Sequence, residues 1–107
     1  MSEKKLMWEI VKCGREEGYT EFHPYSARKS TPGYPDLTLA HPLDADILFF
    51  ETKTQLGKLT PEQMKWGGLL VGRSGVEYRI IRPSDLEWAK ARLRAKQRIA
   101  VAERRDA

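Results

Sequence analysis

Residues 47–53 read ILFFETK. Four apolar residues running into an acid, a threonine and a base have the look of a buried strand whose far end changes character. Side chains alternate faces along a strand, so Glu51 and Lys53 share one face while Phe50 and Thr52 take the other. Upstream, Asp36 to Ala40 reads as a second strand, and the six residues HPLDAD between the two form a connection short enough to favour antiparallel pairing. Downstream, a loop around Gly57 leads to TPEQ. There Thr60 can cap a helix, Pro61 suits its first position and Gln63 falls where a capping box returns its side chain.

The rest of the chain is organised around this centre. Ser2 can cap a first helix running to about Glu17, with Leu6, Ile10 and Cys13 or Gly14 at helical spacing and Gly18 ending it. Tyr19 to Tyr25 reads as a strand that Pro24 places near an edge or an end. ARKSTPGYP, with Arg28 and Lys29, is an exposed loop. The middle helix is expected to turn Met64, Leu69 and Leu70 inward and to be weakened by Gly67 and Gly68. VEYRII alternates as a strand, and a last helix is expected to start at Ser84, with Glu87 completing a second capping box, and to run past Arg98. The order helix, three strands, helix, strand, helix predicts an α/β fold around a small mixed sheet, the last strand returning parallel to an earlier one.

With 107 residues, 40% hydrophobic and 32% charged, the chain suits one compact domain. No stretch approaches the roughly 20 apolar residues of a membrane span, and MSEKKLMWEI lacks the layout of a signal peptide, so a soluble, cytoplasmic protein is expected. Cys13 is the single cysteine, which excludes an internal disulfide or a cysteine-based zinc site and predicts a packed, passive thiol. The net charge of +4 belongs to the tail. Residues 1–89 carry 12 Lys/Arg against 13 Asp/Glu, whereas residues 90–107 carry seven Lys/Arg against Glu103 and Asp106. Such a segment suits a polyanion partner, and equally a solvated charged helix.

If the two central strands pair through the 41–46 turn, Asp36 comes near Glu51. Two carboxylates at a sheet's end make a hard-oxygen site suited to Mg²⁺ or Mn²⁺, and a lysine beside them can orient or deprotonate a water or neutralise charge on a phosphoryl group. The same three residues serve as readily for an ordinary cross-strand ion pair. Spacing alone does not separate the two. His23 and the helical Trp8, Trp66 and Trp88 are expected to pack rather than to ligate or to stack on bases.

Taken together and in order, PGYPDLTL, ILFFETK, GKLTPEQMKW and VEYRIIRPSDL resemble the VRR-NUC family, virus-type replication-repair nucleases of the PD-(D/E)xK superfamily, over residues 2–88. The resemblance implies a restriction-endonuclease-like core with Asp36 as the PD aspartate, Glu51 and Lys53 as the ExK pair, and Thr52 offering a backbone carbonyl to the metal. It implies that Gln63 holds Lys53 or a water in the metal's shell, and that Glu3, with Glu9 as fallback, joins the metal site from the first helix. The Arg28, Lys29 and Lys58 loops would then hold phosphates, which positions nucleic acid without reading its sequence. Residues 1–89 would form the nuclease domain, and 90–107 a basic helical extension of it. The implied protein is a Mg²⁺- or Mn²⁺-dependent endonuclease acting as a homodimer on branched DNA such as four-way junctions. The competing expectation is a nucleic-acid-binding module without catalysis, using the basic tail and loops.

Overall fold

The computed structural model describes residues 1–24 and 31–97. Helix α1 spans Glu3–Glu16, with the Lys5 N–H donating to the Ser2 hydroxyl at 3.1 Å as N-cap. Its apolar stripe, Leu6, Ile10, Val11 and Cys13, is buried, and Gly18, at φ +86°, turns the chain into strand β1, Thr20–Phe22. Strands β2 (Leu37–Ala40) and β3 (Ile47–Thr52) follow, then helix α2 (Pro61–Leu70), strand β4 (Val76–Ile81), a single 3-10 turn at Pro83–Asp85 and helix α3 (Leu86–Arg94).

The four strands form one mixed sheet in the order β1-β2-β3-β4. β1, β2 and β3 pair antiparallel, with Leu37 opposite Phe50 and Leu39 opposite Leu48, and β4 runs parallel to β3. The expected α/β fold and its order of elements are therefore present. The strands are shorter than expected: β1 stops before His23, β2 starts after Asp36 and β3 ends at Thr52. The helix that begins at Pro61 is what allows β4 to return parallel, since a parallel partner needs a crossover.

Each face of the sheet has its own cover. Leu37, Leu39, Leu48, Phe50 and Ile81 point toward α1 and α3, where with Leu6, Ile10 and Leu93 they make the core, and full burial of each such side chain stabilises the fold by about 1.5–3 kcal/mol. Cys13 lies in this cluster, and burial pushes its thiol pKa up, as expected for a packed cysteine. The other face, carrying Phe49, Glu51 and Tyr78, is covered by α2. That helix does not turn Met64 and Leu69 inward, as they are 57% and 46% exposed. Its inward face is Gln63, Trp66 and Gly67, because a methyl group on Gly67 would lie 2.9 Å from the Tyr78 ring. The glycine that weakens the helix is the one that lets it approach β4.

Two expectations at the C-terminal end are corrected. Ser84 and Glu87 do not form a capping box. Instead the Arg82 N–H donates to Asp85 at 2.9 Å and the chain makes a 3-10 turn first, while Ser84 bonds to Gln55, its hydroxyl accepting from Gln55 Nε2 and its N–H donating to Gln55 Oε1, both at 3.1 Å. Helix α3 ends at Arg94 rather than running past Arg98, which lies outside the described residues.

The described part of the basic tail is largely occupied within the fold. Arg92 is buried and donates to both oxygens of Asp44, at 3.0 and 3.2 Å, and through Nε to Glu77 at 2.6 Å. The Tyr19 hydroxyl donates to Asp44 at 2.6 Å, and this arginine holds the Asp44 carboxyl below the usual range despite burial. Lys96 pairs with Glu17 at 3.1 Å and lies over the Tyr19 ring. Among the described residues, no helix is long and apolar enough to cross a membrane.

Candidate active site

The register that sets Leu37 opposite Phe50 sets Asp36, one residue earlier, opposite Glu51 on the face covered by α2. Three features place Asp36 there. Tyr34 packs edge-on between Trp66 of α2 and Phe49 of β3, with ring centroids 5.0 and 6.3 Å away. Gly33, at φ +82°, passes so close to α2 that a methyl group on it would fall onto the Glu62 carbonyl and within 2.7 Å of the Gln63 backbone nitrogen. Finally, Thr52 donates both its N–H, at 3.0 Å, and its hydroxyl, at 2.8 Å, to Asp36 Oδ2.

Gly33 is thus a spacer between the Asp36 loop and the helix that carries Gln63. Gly33→Ala is expected to lower the unfolding free energy by about 2 kcal/mol through overpacking and a left-handed alanine, read as a lower denaturant midpoint. An unchanged midpoint would show that the loop does not press on α2.

Glu51 is 1% exposed. Its Oε2 accepts from Gln63 Nε2 at 3.4 Å, and its Oε1 is buried without any hydrogen-bond partner. Burial, and next the like charge of Asp36, push its pKa up to about 9 against the opposing pull of Lys53. Glu51 and Asp36 also raise the pKa of Tyr78, behind burial as the main cause. Gln63 works at both ends: its Oε1 accepts from the Thr60 N–H at 2.9 Å, closing the expected capping box, while its Nε2 reaches Glu51.

Lys53 is buried at the end of β3, its side-chain stem beside Gly57, and it forms no ion pair with Asp36 or Glu51. The cross-strand ion pair that the residue types allow is therefore not what the fold builds. Lys58 is exposed on the following loop. A cavity of about 300 Å³ opens beside Asp36 and Gln63, with Met7 of α1 as its far wall.

The structure brings Asp36, Glu51, Thr52, Lys53 and Gln63 to one end of the sheet. Glu3 is exposed at the start of α1, and its charge adds to the raised pKa of Glu51. Among the described residues, no three His, Cys, Asp or Glu side chains converge as a metal-binding group. Glu9 lies elsewhere, lining a small cavity with Lys90 and Arg94, because six helical positions carry it to another face of α1. Arg28 and Lys29 lie outside the described residues.

The pair Asp36 and Glu51 still fits a hard divalent cation. It combines two adjacent carboxyl groups with a buried oxygen that lacks a partner, and buried polar groups are normally satisfied. Thr52 and Arg82 have roles the sequence did not announce. Thr52 orients Asp36 through its N–H and hydroxyl. Arg82 donates Nη1 to the carbonyls of Thr54, Gln55 and Gly57 at 2.8, 3.3 and 2.7 Å, fixing the loop after Lys53. Comparison of the chain with family models, with curated proteins and with solved structures finds no match.

Proposed function

We propose that this protein is a metal-dependent DNA endonuclease of the VRR-NUC kind, acting on branched DNA. The observation that carries the reading is the unpartnered, buried Oε1 of Glu51 beside Asp36, with Lys53 close by and free of an ion pair to either. Asp36 and Glu51 would hold Mg²⁺ or Mn²⁺, which when bound polarises a phosphodiester and makes water a better nucleophile. Thr52 keeps Asp36 turned to the site, and Gln63 holds Glu51 by its outer oxygen. The buried Lys53 places its ammonium where charge develops on the phosphoryl oxygens, or takes and returns a proton at the attacking water.

A binding module without catalysis has less support. Arg92 and Lys96 are engaged inside the fold, and an acidic pair at the binding face, the half-buried Asp36 and the buried Glu51, suits a phosphate only with a cation between them. A homodimer follows from the substrate: one short chain carries one such site, and a two-fold symmetric junction offers two strands to cut.

The test is incubation with linear duplex, flap and four-way-junction DNA, with Mg²⁺, with Mn²⁺ and with EDTA. Cleavage is expected only with metal and fastest on branched substrates, by a species with twice the 12.3 kDa chain mass in light scattering. DNA binding in EDTA with no cleavage under any metal condition would favour the binding module.

A further inference from the structure

Leu56 is 91% exposed, more than any other large apolar side chain among the described residues. It sits at the tip of the loop that follows Lys53. It lines an open groove together with Leu59 and Met64. The backbone on either side of it is fixed. Arg82 ties the carbonyls on either side of it, those of Gln55 and Gly57, as well as that of Thr54. Gln55 is locked to Ser84 through both side-chain atoms, and the Gly57 N–H donates back to the Thr54 carbonyl at 3.2 Å. Gly57 packs closely there, since a methyl group on it would come within 2.7 Å of the Thr54 hydroxyl. The same glycine lies against the stem of Lys53, so the apolar tip is one residue from a backbone position that touches this lysine. Lys58 adds a positive charge at the edge of the groove.

We propose that Leu56 is an unstacking wedge that enters the base stack beside the phosphate presented to Lys53, with the displaced base received by the groove of Leu59 and Met64 and its backbone held by Lys58. The inference rests on the endonuclease reading and deepens it by naming the substrate class: DNA with a weakly stacked nucleotide next to the cut. Burying one leucine returns a free energy of the same size as the loss of one base step. Insertion is therefore close to neutral where a branch has already loosened the stack, and unfavourable within continuous duplex. Structure selectivity then needs no base-specific contact.

The experiment uses the Lys53→Ala chain, so that bound DNA is not cut, and a four-way junction carrying 2-aminopurine at the branch. At saturation in Mg²⁺, judged by anisotropy, fluorescence is expected to rise with Lys53→Ala and with Lys53→Ala/Leu56→Met, and to stay at the free-DNA level with Lys53→Ala/Leu56→Ala. In the chain with Lys53 intact, Leu56→Ala is expected to lower kcat/KM on the junction about tenfold, with an unchanged melting temperature because the side chain is exposed. An equal fluorescence rise with and without Leu56 overturns the proposal, as does conversion of a dimer to a monomer by Leu56→Ala, which would make the tip a contact between two copies. The fluorescence arm does not depend on cleavage, so a protein that unstacks the branch but never cuts it sinks the endonuclease reading and keeps the wedge. Absence of junction binding at micromolar protein sinks both.

Discussion

Lys53→Ala and Asp36→Ala are each expected to reduce metal-dependent phosphodiester cleavage by about 10²- to 10⁴-fold, the range for loss of a positioned proton-transfer group or of an electrostatic stabiliser. The two should fail differently. Lys53 is buried at the strand end without an ion pair to Glu51 or Asp36, so its removal takes away charge and a proton carrier while leaving the acids where they are. Activity in Lys53→Ala should remain saturable in Mg²⁺ and should not recover at high metal. Asp36 carries the two bonds from Thr52 and one half of the acid pair, so Asp36→Ala should shift the metal dependence to higher concentration and recover in part with excess Mn²⁺. Rates measured against metal concentration distinguish these outcomes. Full activity in Lys53→Ala would remove this lysine from the chemistry.

The second large effect is on stability, and it runs opposite to activity. Glu51→Gln is expected to stabilise the metal-free protein at pH 7.5 by about 2–3 kcal/mol, close to 10 °C in melting temperature for a domain of this size. In the folded protein the Glu51 carboxyl titrates at about 9, against 4.5 in an ordinary setting. Between those values the folded state holds a proton that the unfolded state has released, so stability falls as pH rises, by about 1.4 kcal/mol per pH unit. At pH 7.5 this amounts to about 4 kcal/mol, from which the burial of an imperfectly bonded amide subtracts about 1 kcal/mol. The gain should shrink toward pH 5, close to the ordinary carboxyl value, and vanish below it, where both states are protonated. Mg²⁺ or Mn²⁺ should raise the melting temperature of the parent chain and leave that of Glu51→Gln unmoved, because a ligand of the folded state alone stabilises by mass action. Melting curves at pH 5 and 7.5, with and without metal, read this out. A variant no more stable than its parent at pH 7.5, or a parent that ignores both metals, would contradict the assignment of Glu51.

The sheet was legible because its signals are local. ILFFETK, the HPLDAD turn and the TPEQ cap each act over a few residues, and the structure keeps β3, the antiparallel β2 and the start of α2. The end of that run also brought Lys53 near enough for its charge to act on Glu51. What the sequence hid depends on contacts between distant segments. Arg92 resembled tail charge until Asp44, 48 positions earlier, is seen to receive it. Met64 and Leu69 resembled a helix's buried face until Gly67 is set against Tyr78, which turns them outward. Thr52 was assigned through its carbonyl, and its hydroxyl proved to hold the opposing aspartate. Arg82 gave no local sign at all, because its three acceptors are carbonyls that any sequence would supply.

Gln63 gives a single amide two obligations, one to the Thr60 N–H at the start of α2 and one to Glu51. If the first turn of that helix frays, the Glu51 carboxyl group loses its tether in the same event. Local breathing of a helix end, ordinarily a matter of secondary structure alone, therefore sets the fraction of time the site is assembled. The cap and the candidate site open and close as one cooperative unit.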